Sequence, residues 1–286
     1  MRGAPRRDGE GVARARGVTR VTVRLGGDAL LDALESGEVR AAHPEAGGWV
    51  VNAWVKAGIL DIFRDSEVGG QALECLAPEV PAGARFTFRD KVAFPVRRLA
   101  ASAEVRLVPG GSAIRRGSHV GRGVVCMPPM YVNVGAYVGA GSMIDSHALV
   151  GSCAQIGEGV HLSAAAQIGG VLEPVGARPV IVEDGAFVGG NTGLYEGVLV
   201  GRGAVIGAGV VLTGTTRVYD LVNDRELTGT RSAPLEIPEN AVLVPGTRPA
   251  RGGFAAARGL AQACALIVKY RDERTDAATA LEAALR

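Results

Sequence analysis

The chain has 286 residues, of which 47% are hydrophobic but only 5% aromatic, so its core must consist mainly of Val, Ile, Leu and Ala. Its 42 glycines are interleaved with aliphatic residues and follow no strict three-residue period, which excludes both collagen and a disordered linker. A formal net charge of +2 supports neither nucleic acid nor a membrane as a partner.

Arginines are concentrated at the start of the chain, and no apolar segment follows them. A transit peptide or a basic arm would fit these arginines, but we interpret residues 1–27 as a basic flexible tail. Elsewhere no run approaches the roughly 18 apolar residues of a membrane span. The cysteines are far apart and lack CxxC spacing, which indicates free thiols in a reducing cytoplasm; they are Cys75, Cys126, Cys153 and Cys264.

Residues 28–105 predict an N-terminal α-helical domain. Asp28 is placed to cap a helix over residues 29–34, which ends at Ser36 and Gly37. Apolar residues at helical spacing predict a second helix over residues 49–64.

A six-residue repeat dominates the next part of the chain, residues 106–247. The residue directly after each repeated apolar position is often glycine or another turn former, and the residue four places after that apolar position is often small. The aliphatic or small apolar residues that recur every sixth position are Ile114, Val120, Cys126, Val132, Val138, Ile144, Val150, Ile156, Leu162, Ile168, Val182, Val188, Leu194, Val200, Ile206, Leu212 and Val218.

This period matches neither a helix nor a simple alternating strand, and it indicates short strands separated by tight corners. One aliphatic residue then points inward from each side of a three-sided coil, and stacked coils bury a common core. Glycine and asparagine provide the positive φ that tight corners can require. The sequence therefore predicts a mainly β protein, a parallel β-helix of hexapeptide repeats.

Two interruptions break the repeat, and we predict that they form loops at residues 170–181 and 219–236. Insertions into a solenoid often collect on one side, which is frequently the binding side. Residues 248–286 predict a small C-terminal extension, with a strand over residues 264–269 and a helix over residues 275–285.

Several strings along residues 28–286 resemble the tetrahydrodipicolinate N-succinyltransferase family. They begin with Gly48-Trp49-Val50 and Arg106-Leu107-Val108-Pro109, and continue through Val150-Gly151-Ser152-Cys153-Ala154-Gln155, Val160-His161-Leu162-Ser163, Gly169-Gly170-Val171-Leu172-Glu173-Pro174 and Glu196-Gly197-Val198. Such co-linear strings are more specific than the hexad period, which many acyltransferases share.

The resemblance implies that the β-helix is left-handed and that the protein is a homotrimer with active sites between adjacent subunits. The implied reaction moves a succinyl group from succinyl-CoA, a co-substrate, to the amine of the acyclic form of tetrahydrodipicolinate. No tightly bound cofactor and no metal are expected. The partners are then a small amino dicarboxylate and an acyl-CoA, with no nucleic acid and no membrane.

Two residues match family positions with a role. Arg106 corresponds to an arginine that holds a substrate carboxylate, which suits its planar, permanently charged fork. Asp145 corresponds to an aspartate that positions the attacking amine and helps remove its proton, as attack on a thioester requires a neutral amine. The alternatives are a surface ion pair for Arg106 and a corner residue for Asp145.

The chain also departs from the family pattern. A second acidic residue is expected three places before Glu196, but Gly193 stands there. We expect Glu196 to take the second catalytic role, from a corner that turns its side chain outward. His147 stands where the family usually has tryptophan, so the pocket wall is altered as well.

Other activities have less support. A zinc carbonic anhydrase of the same fold needs three converging histidines, whereas hexad counting puts His119, His147 and His161 on different sides. We therefore interpret them as satisfied or solvated. Cys153 has no base at a suitable spacing to make it a nucleophile. A non-catalytic scaffold would have no need of Arg106 or Asp145.

Within the same reaction class, the choice of donor and acceptor stays open. The donor is succinyl-CoA or acetyl-CoA, and the acceptor is tetrahydrodipicolinate or a related amino diacid of secondary metabolism. The residues that contact the coenzyme phosphates are not identified by any motif, and Arg248 and Arg251 are the basic candidates.

Overall fold

The computed structural model describes residues 24–74, 85–100 and 102–271. The predicted 275–285 helix, Cys75 and nearly all of the predicted basic tail lie outside the described residues. The N-terminal elements are α1 Gly27–Ser36, β1 Ala42–Glu45, β2 Gly48–Val51, α2 Ala53–Asp65, β3 Val68–Glu74 and β4 Arg85–Lys91.

A stack of two-residue strands follows. Its strands are β5 Arg106–Leu107, β6 Ala113–Ile114, β7 His119–Val120, β8 Val125–Cys126, β9 Tyr131–Val132, β10 Tyr137–Val138, β11 Met143–Ile144, β12 Leu149–Val150, β13 Gln155–Ile156, β14 His161–Leu162, β15 Gln167–Ile168, β16 Ile181–Val182, β17 Phe187–Val188, β18 Gly193–Leu194, β19 Leu199–Val200, β20 Val205–Ile206 and β21 Val211–Leu212. The last elements are β22 Val218–Asp220, β23 Arg225–Leu227, β24 Glu236–Ile237, β25 Ala241–Pro249, α3 Gly253–Ala256 and β26 Ala261–Tyr270.

The short strands form three parallel sheets, the faces of a prism. Face 1 contains β5, β8, β11, β14, β17, β20 and β25; face 2 contains β6, β9, β12, β15, β18 and β21; face 3 contains β7, β10, β13, β16, β19 and β24. The chain passes from face 1 to face 2 at edge 1–2, then turns at edge 2–3 and edge 3–1, and three strands make one coil. Every hexad residue predicted to point inward is buried in one continuous core. The predicted parallel β-helix of hexapeptide repeats is confirmed.

The glycines at the corners serve two different purposes. At edge 3–1, Gly141 has a φ of 70°, which L-residues adopt only with strain. Gly139, directly after the hexad residue, has no such φ; instead, a Cβ atom there would lie 2.4 Å from the carbonyl oxygen of Gly157 in the next coil. The glycine after the hexad residue is therefore required by close stacking, and the positive φ that we expected of corners falls two residues later.

The first helix, α1, is longer than predicted and begins earlier. Its N-cap is Gly26, without a side-chain hydrogen bond, so the prediction of Asp28 as N-cap is wrong. Asp28 lies in the first turn and pairs with Arg116 of the prism at 3.0 Å, which suits a carboxylate near a helix N-terminus. The predicted end is confirmed, because Gly37 adopts a left-handed conformation with a φ of 80°.

The prediction of a helix from residue 49 is wrong at its start, since α2 begins at Ala53. Trp49 and Val50 belong to a hairpin in which β2 pairs antiparallel with β1. The Trp49 Nε1 atom donates a hydrogen bond to Glu183 Oε1 on the prism at 2.8 Å. Cross-strand pairing and this distant acceptor override the helical spacing of the apolar residues.

The N-terminal region packs against edge 2–3 and face 3. Leu30, Val55 and Ile59 form a cluster with Val134 and Cys153 of edge 2–3. Arg40 Nε donates to Gln155 Oε1 at 2.9 Å, and its guanidinium lies 3.7 Å from the centre of the Tyr137 ring. This docking covers the outer surface of face 3 around Tyr137 and Gln155.

Both interruptions of the repeat leave the prism at edge 2–3, so they collect on one side, as predicted. Lys56 of α2 is fully buried, and its Nζ donates to the carbonyl of Ala177 in the first loop at 2.6 Å. Burial lowers the pKa of this lysine. The second interruption contains the antiparallel pair β22–β23 before the chain returns at β24.

The predicted strand over 264–269 is confirmed as part of β26, which pairs antiparallel with β25 and parallel with β22. The carboxylate of Asp220 in β22 is buried and accepts hydrogen bonds from the Tyr270 hydroxyl at 2.7 Å and from Arg225 Nε at 2.9 Å. Although burial raises the pKa of Asp220, hydrogen bonds from Asn223, Tyr270 and Arg225 hold it at about 2. The division of the chain at residues 27, 105 and 247 stays a prediction.

Candidate functional site

Arg106 and Asp145 lie on the same side of the prism. Arg106 is in β5 on face 1, in register with Val125, which is in turn in register with Met143. Asp145 follows Ile144 where the chain turns into edge 1–2. Two strand spacings of about 4.8 Å separate the two levels, about 10 Å along the prism axis.

Arg106 is exposed, and among the described residues no carboxylate pairs with its guanidinium. The alternative of a surface ion pair therefore finds no partner in the part of the chain that the structure covers. An exposed, unpaired guanidinium is available to bind the carboxylate of a ligand in a bidentate manner.

Asp145 uses its two oxygen atoms differently. Oδ1 accepts a hydrogen bond from the backbone N–H of Ser146 at 2.8 Å, which helps to form the corner. Oδ2 lies 3.8 Å from Nε2 of His161, one coil further on, and the Asp145 side chain is 31% exposed. Asp145 is thus a corner residue with a second oxygen still available for chemistry.

His161 is the residue that the sequence analysis missed. We interpreted it as satisfied or solvated, yet its Nε2 is shielded from solvent and has no hydrogen-bond partner in the described chain. The six-residue repeat could have indicated that His161 lies near Asp145, because residue 161 is in register with Met143, two places before Asp145.

The other two histidines lie elsewhere. His119 on face 3 bonds the carbonyl of Glu35 through Nδ1 at 2.9 Å and stacks on Tyr137, and burial lowers its pKa. His147 is exposed at edge 1–2 with a φ of 63°. The prediction that the three histidines do not converge is confirmed, and no group of three or more metal-ligating side chains occurs in the described residues.

Glu196 lies at edge 2–3, across face 2 from the edge that carries Asp145. Its side chain is exposed, as expected, at a corner where its φ is 54°. Its Oε2 accepts a hydrogen bond from the backbone N–H of Gly214 at 3.2 Å, just after the end of β21. Within one chain the structure does not bring Glu196 and Asp145 together.

The space beside Gly193 is occupied by an aromatic ring. A Cβ atom on Gly193 would lie 2.5 Å from Cε2 of Tyr195, and one on Gly169 would lie 2.7 Å from Cδ1 of the same ring. Tyr195 therefore covers the outer surface of face 2 at the position where the second acidic residue was expected. Glycine at position 193 accommodates this ring.

The candidate coenzyme contacts lie on the arm formed by β25 and β26. Arg248 is in β25, and its Nε is shielded and has no hydrogen-bond partner among the described residues. Arg251 is exposed just beyond the strand. Cavities of about 850 and 670 Å³ lie beside the N-terminal region and are lined by residues other than Arg106 and Asp145, which lie on face 1 and edge 1–2.

Comparisons with known proteins cover nearly the whole chain. A family model described as "Tetrahydrodipicolinate N-succinyltransferase N-terminal" matches residues 17–64, and one described as "Hexapeptide repeat of succinyl-transferase" matches residues 179–214. The 2,3,4,5-tetrahydropyridine-2,6-dicarboxylate N-succinyltransferase of Rhodopseudomonas palustris is 41% identical over 277 residues, which are 94% of this chain and 92% of that protein. The enzyme of the same name from Idiomarina loihiensis is 41% identical over 261 residues, 90% of this chain and 87% of that protein.

Proposed function

This chain belongs to the 2,3,4,5-tetrahydropyridine-2,6-dicarboxylate N-succinyltransferase family, and from that premise we propose that it transfers a succinyl group from succinyl-CoA to tetrahydrodipicolinate. The acceptor is the amine of the acyclic form, 2-amino-6-oxopimelate, in lysine and diaminopimelate biosynthesis. The main support for the proposal is the similarity to the Rhodopseudomonas palustris enzyme. The two sequences are 41% identical over 92% of that enzyme and 94% of this chain, so the match includes the N-terminal region as well as the repeats.

In this proposal, Arg106 binds one carboxylate of the acceptor and Asp145 receives the amine. The amine and the far carboxylate are at opposite ends of an extended pimelate chain, and the spacing of about 10 Å along face 1 suits two such groups. The amine attacks the thioester carbon, and the proton that it loses needs a base within hydrogen-bond reach. Asp145 Oδ2 is available to position the amine for this step.

We propose that the active enzyme is a homotrimer. The N-terminal region covers face 3, whereas the outer surfaces of faces 1 and 2 carry partly exposed apolar side chains, including Met143, Leu149 and Val211. Such surfaces can be buried around a three-fold axis. A neighbouring subunit would also offer its Glu196 to the amine beside Asp145, which a single chain does not do.

Succinyl-CoA is proposed as a co-substrate, with no cofactor bound tightly. A cytoplasmic location is supported by the buried free thiols of Cys126, Cys153 and Cys264. Burial raises the pKa of Cys126 to about 11 and that of Cys153 to about 12, so these thiols stay protonated and unreactive. In the described residues no helix is both long and apolar enough to cross a bilayer.

A second candidate is acyl transfer from acetyl-CoA, or transfer to a related amino diacid. Two departures from the family pattern favour it: Tyr195 covers Gly193 on face 2, and His147 stands at edge 1–2 where tryptophan is expected. A non-catalytic scaffold is less well supported, since it gives no reason for Arg106, which has no carboxylate partner among the described residues, to lie on the same side as Asp145.

The test is release of CoA thiol from succinyl-CoA and from acetyl-CoA, each with and without tetrahydrodipicolinate. We expect thiol release that requires both succinyl-CoA and the acceptor. Asp145→Asn should lower kcat by about two to four orders of magnitude, the range for loss of general-base catalysis, with little change in the KM for succinyl-CoA. Faster release from acetyl-CoA would favour the second candidate, and full activity of Asp145→Asn would reduce Asp145 to a corner residue.

A further inference from the structure

His161 occupies a defined position next to the proposed site. It lies in β14 on face 1, in register with Met143 in the coil before and with Phe187 in the coil after. The ring of Phe187 meets the imidazole edge-on, with 5.1 Å between ring centres. Met143 and Phe187 are thus its apolar neighbours along the sheet, and the carboxylate of Asp145 lies near its Nε2.

One nitrogen of His161 is enclosed without a partner. Nε2 is shielded from solvent and makes no hydrogen bond in the described chain, although 38% of the side chain is exposed. Leaving a buried polar atom unpaired costs about 1–3 kcal/mol, so such an atom calls for an explanation. The nearest anionic group is Asp145 Oδ2 at 3.8 Å, and hydrogen bonds of catalytic groups are often long before substrate binds.

We propose that His161 is the catalytic base of the acyl transfer and that Asp145 orients it. Nε2–H donates to Asp145 Oδ2 when the substrates bind. This bond fixes the tautomer whose free lone pair is on Nδ1, the nitrogen on the exposed part of the ring. The inference rests on the proposed function and assigns the step in which the amine loses its proton.

An imidazole suits this step better than a carboxylate alone. The ordinary pKa of histidine is about 6.5 and that of aspartate about 3.9, so histidine is the stronger base and is closer to the working pH. The carboxylate then stabilises the imidazolium that forms, as in other base–orienter pairs. The family pattern has a second carboxylate where this chain has Gly193. Because that carboxylate is missing, another proton-accepting group next to Asp145 would be useful, and His161 can provide it.

The amine nitrogen bonds to the thioester carbonyl carbon, and the ammonium proton of the tetrahedral adduct passes to Nδ1 of His161. The carbonyl re-forms as the carbon–sulfur bond breaks, and its electron pair leaves with sulfur. The imidazolium returns the proton to the thiolate. The products are the N-acyl compound and free CoA thiol, and His161 is neutral again.

The test compares the pH dependence of kcat and of kcat/KM for the acceptor in wild type, His161→Gln, Asp145→Asn and the double variant. We expect an acidic limb in wild type that His161→Gln removes, together with a 100- to 10,000-fold lower kcat, the range typical of a general base. The double variant should be about as slow as the slower single variant, because the two residues act as a unit.

His43→Gln is a matched control, since His43 is also paired with a carboxylate, Glu45 at 3.1 Å, but on the N-terminal hairpin. It should leave kcat and its pH profile unchanged. A His161→Gln enzyme with wild-type kcat and an intact acidic limb would overturn the inference. So would a loss confined to the KM for succinyl-CoA.

A second measurement covers the case in which His161→Gln does not fold. Nitrogen-15 NMR of His161 in the complex with free CoA and the acceptor should show the Nε2–H tautomer favoured in wild type and a more even mixture in Asp145→Asn, and equal tautomer populations would also overturn the inference. Failure of the proposed function is distinguishable, because wild type would then release no thiol with succinyl-CoA and tetrahydrodipicolinate. The variants would in that case be compared on whichever donor and acceptor the wild type accepts.

Discussion

The two glycines of one corner, Gly139 and Gly141, provide a direct test of how the coils stack. Substitution by alanine adds the same methyl group two residues apart. At Gly141 the added Cβ would meet no heavy atom within 4 Å, so the cost is that of a φ of 70° alone. For an L-residue in the left-handed region that cost is about 1–2 kcal/mol.

At Gly139 the added Cβ would lie 2.4 Å from the oxygen and 2.5 Å from the carbon of the Gly157 carbonyl. Ordinary contact requires the next coil to move by about 1 Å, in an interior packed as densely as a crystal. That shift strains two hydrogen bonds, from Gly157 N to Val182 O at 2.7 Å and from Gly159 N to Ala140 O at 2.9 Å. Two bonds at about 1 kcal/mol each, added to about 1–3 kcal/mol for overpacking, give about 3–5 kcal/mol.

Urea unfolding followed by circular dichroism, at one protomer concentration for all proteins, measures both effects. We expect the midpoint of Gly139→Ala to fall well below that of Gly141→Ala, which should itself lie slightly below wild type. If Gly141→Ala proves equally or more destabilising, positive φ rather than stacking is what demands glycine at these corners, and the reasoning is refuted.

Four further outcomes are expected. Arg106→Lys should raise the KM for the acceptor at least about tenfold, because an ammonium lacks the two-bond grip of a guanidinium; an unchanged KM would remove Arg106 from the site. Glu196→Gln keeps an oxygen for the N–H of Gly214, so it should lower turnover at least about tenfold, or about 1.4 kcal/mol, without loss of assembly; full activity would make Glu196 structural. Gly193→Glu should not raise activity, because the Tyr195 ring occupies the space that the new side chain needs; Tyr195→Val in the same protein would remove that steric clash. A gain in activity from Gly193→Glu alone would contradict the packing of Tyr195 against Gly193. Sedimentation at micromolar concentration should give a trimer, and a species of 29.4 kDa would contradict the assembly.

The repeat made the prism predictable because each hexad residue depends only on its own coil and the next. The same phase places Arg106 and Asp145 on one side. The repeat does not show in which direction a side chain at a corner points. The short distance between the side chains of Asp145 and His161 was therefore not predicted. The N-terminal hairpin was missed for another reason: Trp49 is held by Glu183, a residue far along the chain, and no local pattern reveals such a partner.

The strand β26 also determines what can happen at the end of the stack. A solenoid of parallel coils ends in unpaired backbone groups that a second copy could extend, coil upon coil, into a filament. Here β26 pairs with β25 in the opposite direction, and the next parallel coil finds no matching register on face 1. The buried carboxylate of Asp220 stabilises the position of β26 by accepting a hydrogen bond from the hydroxyl of Tyr270. The prism therefore has a fixed length, which the antiparallel strand β26 sets at the end of face 1.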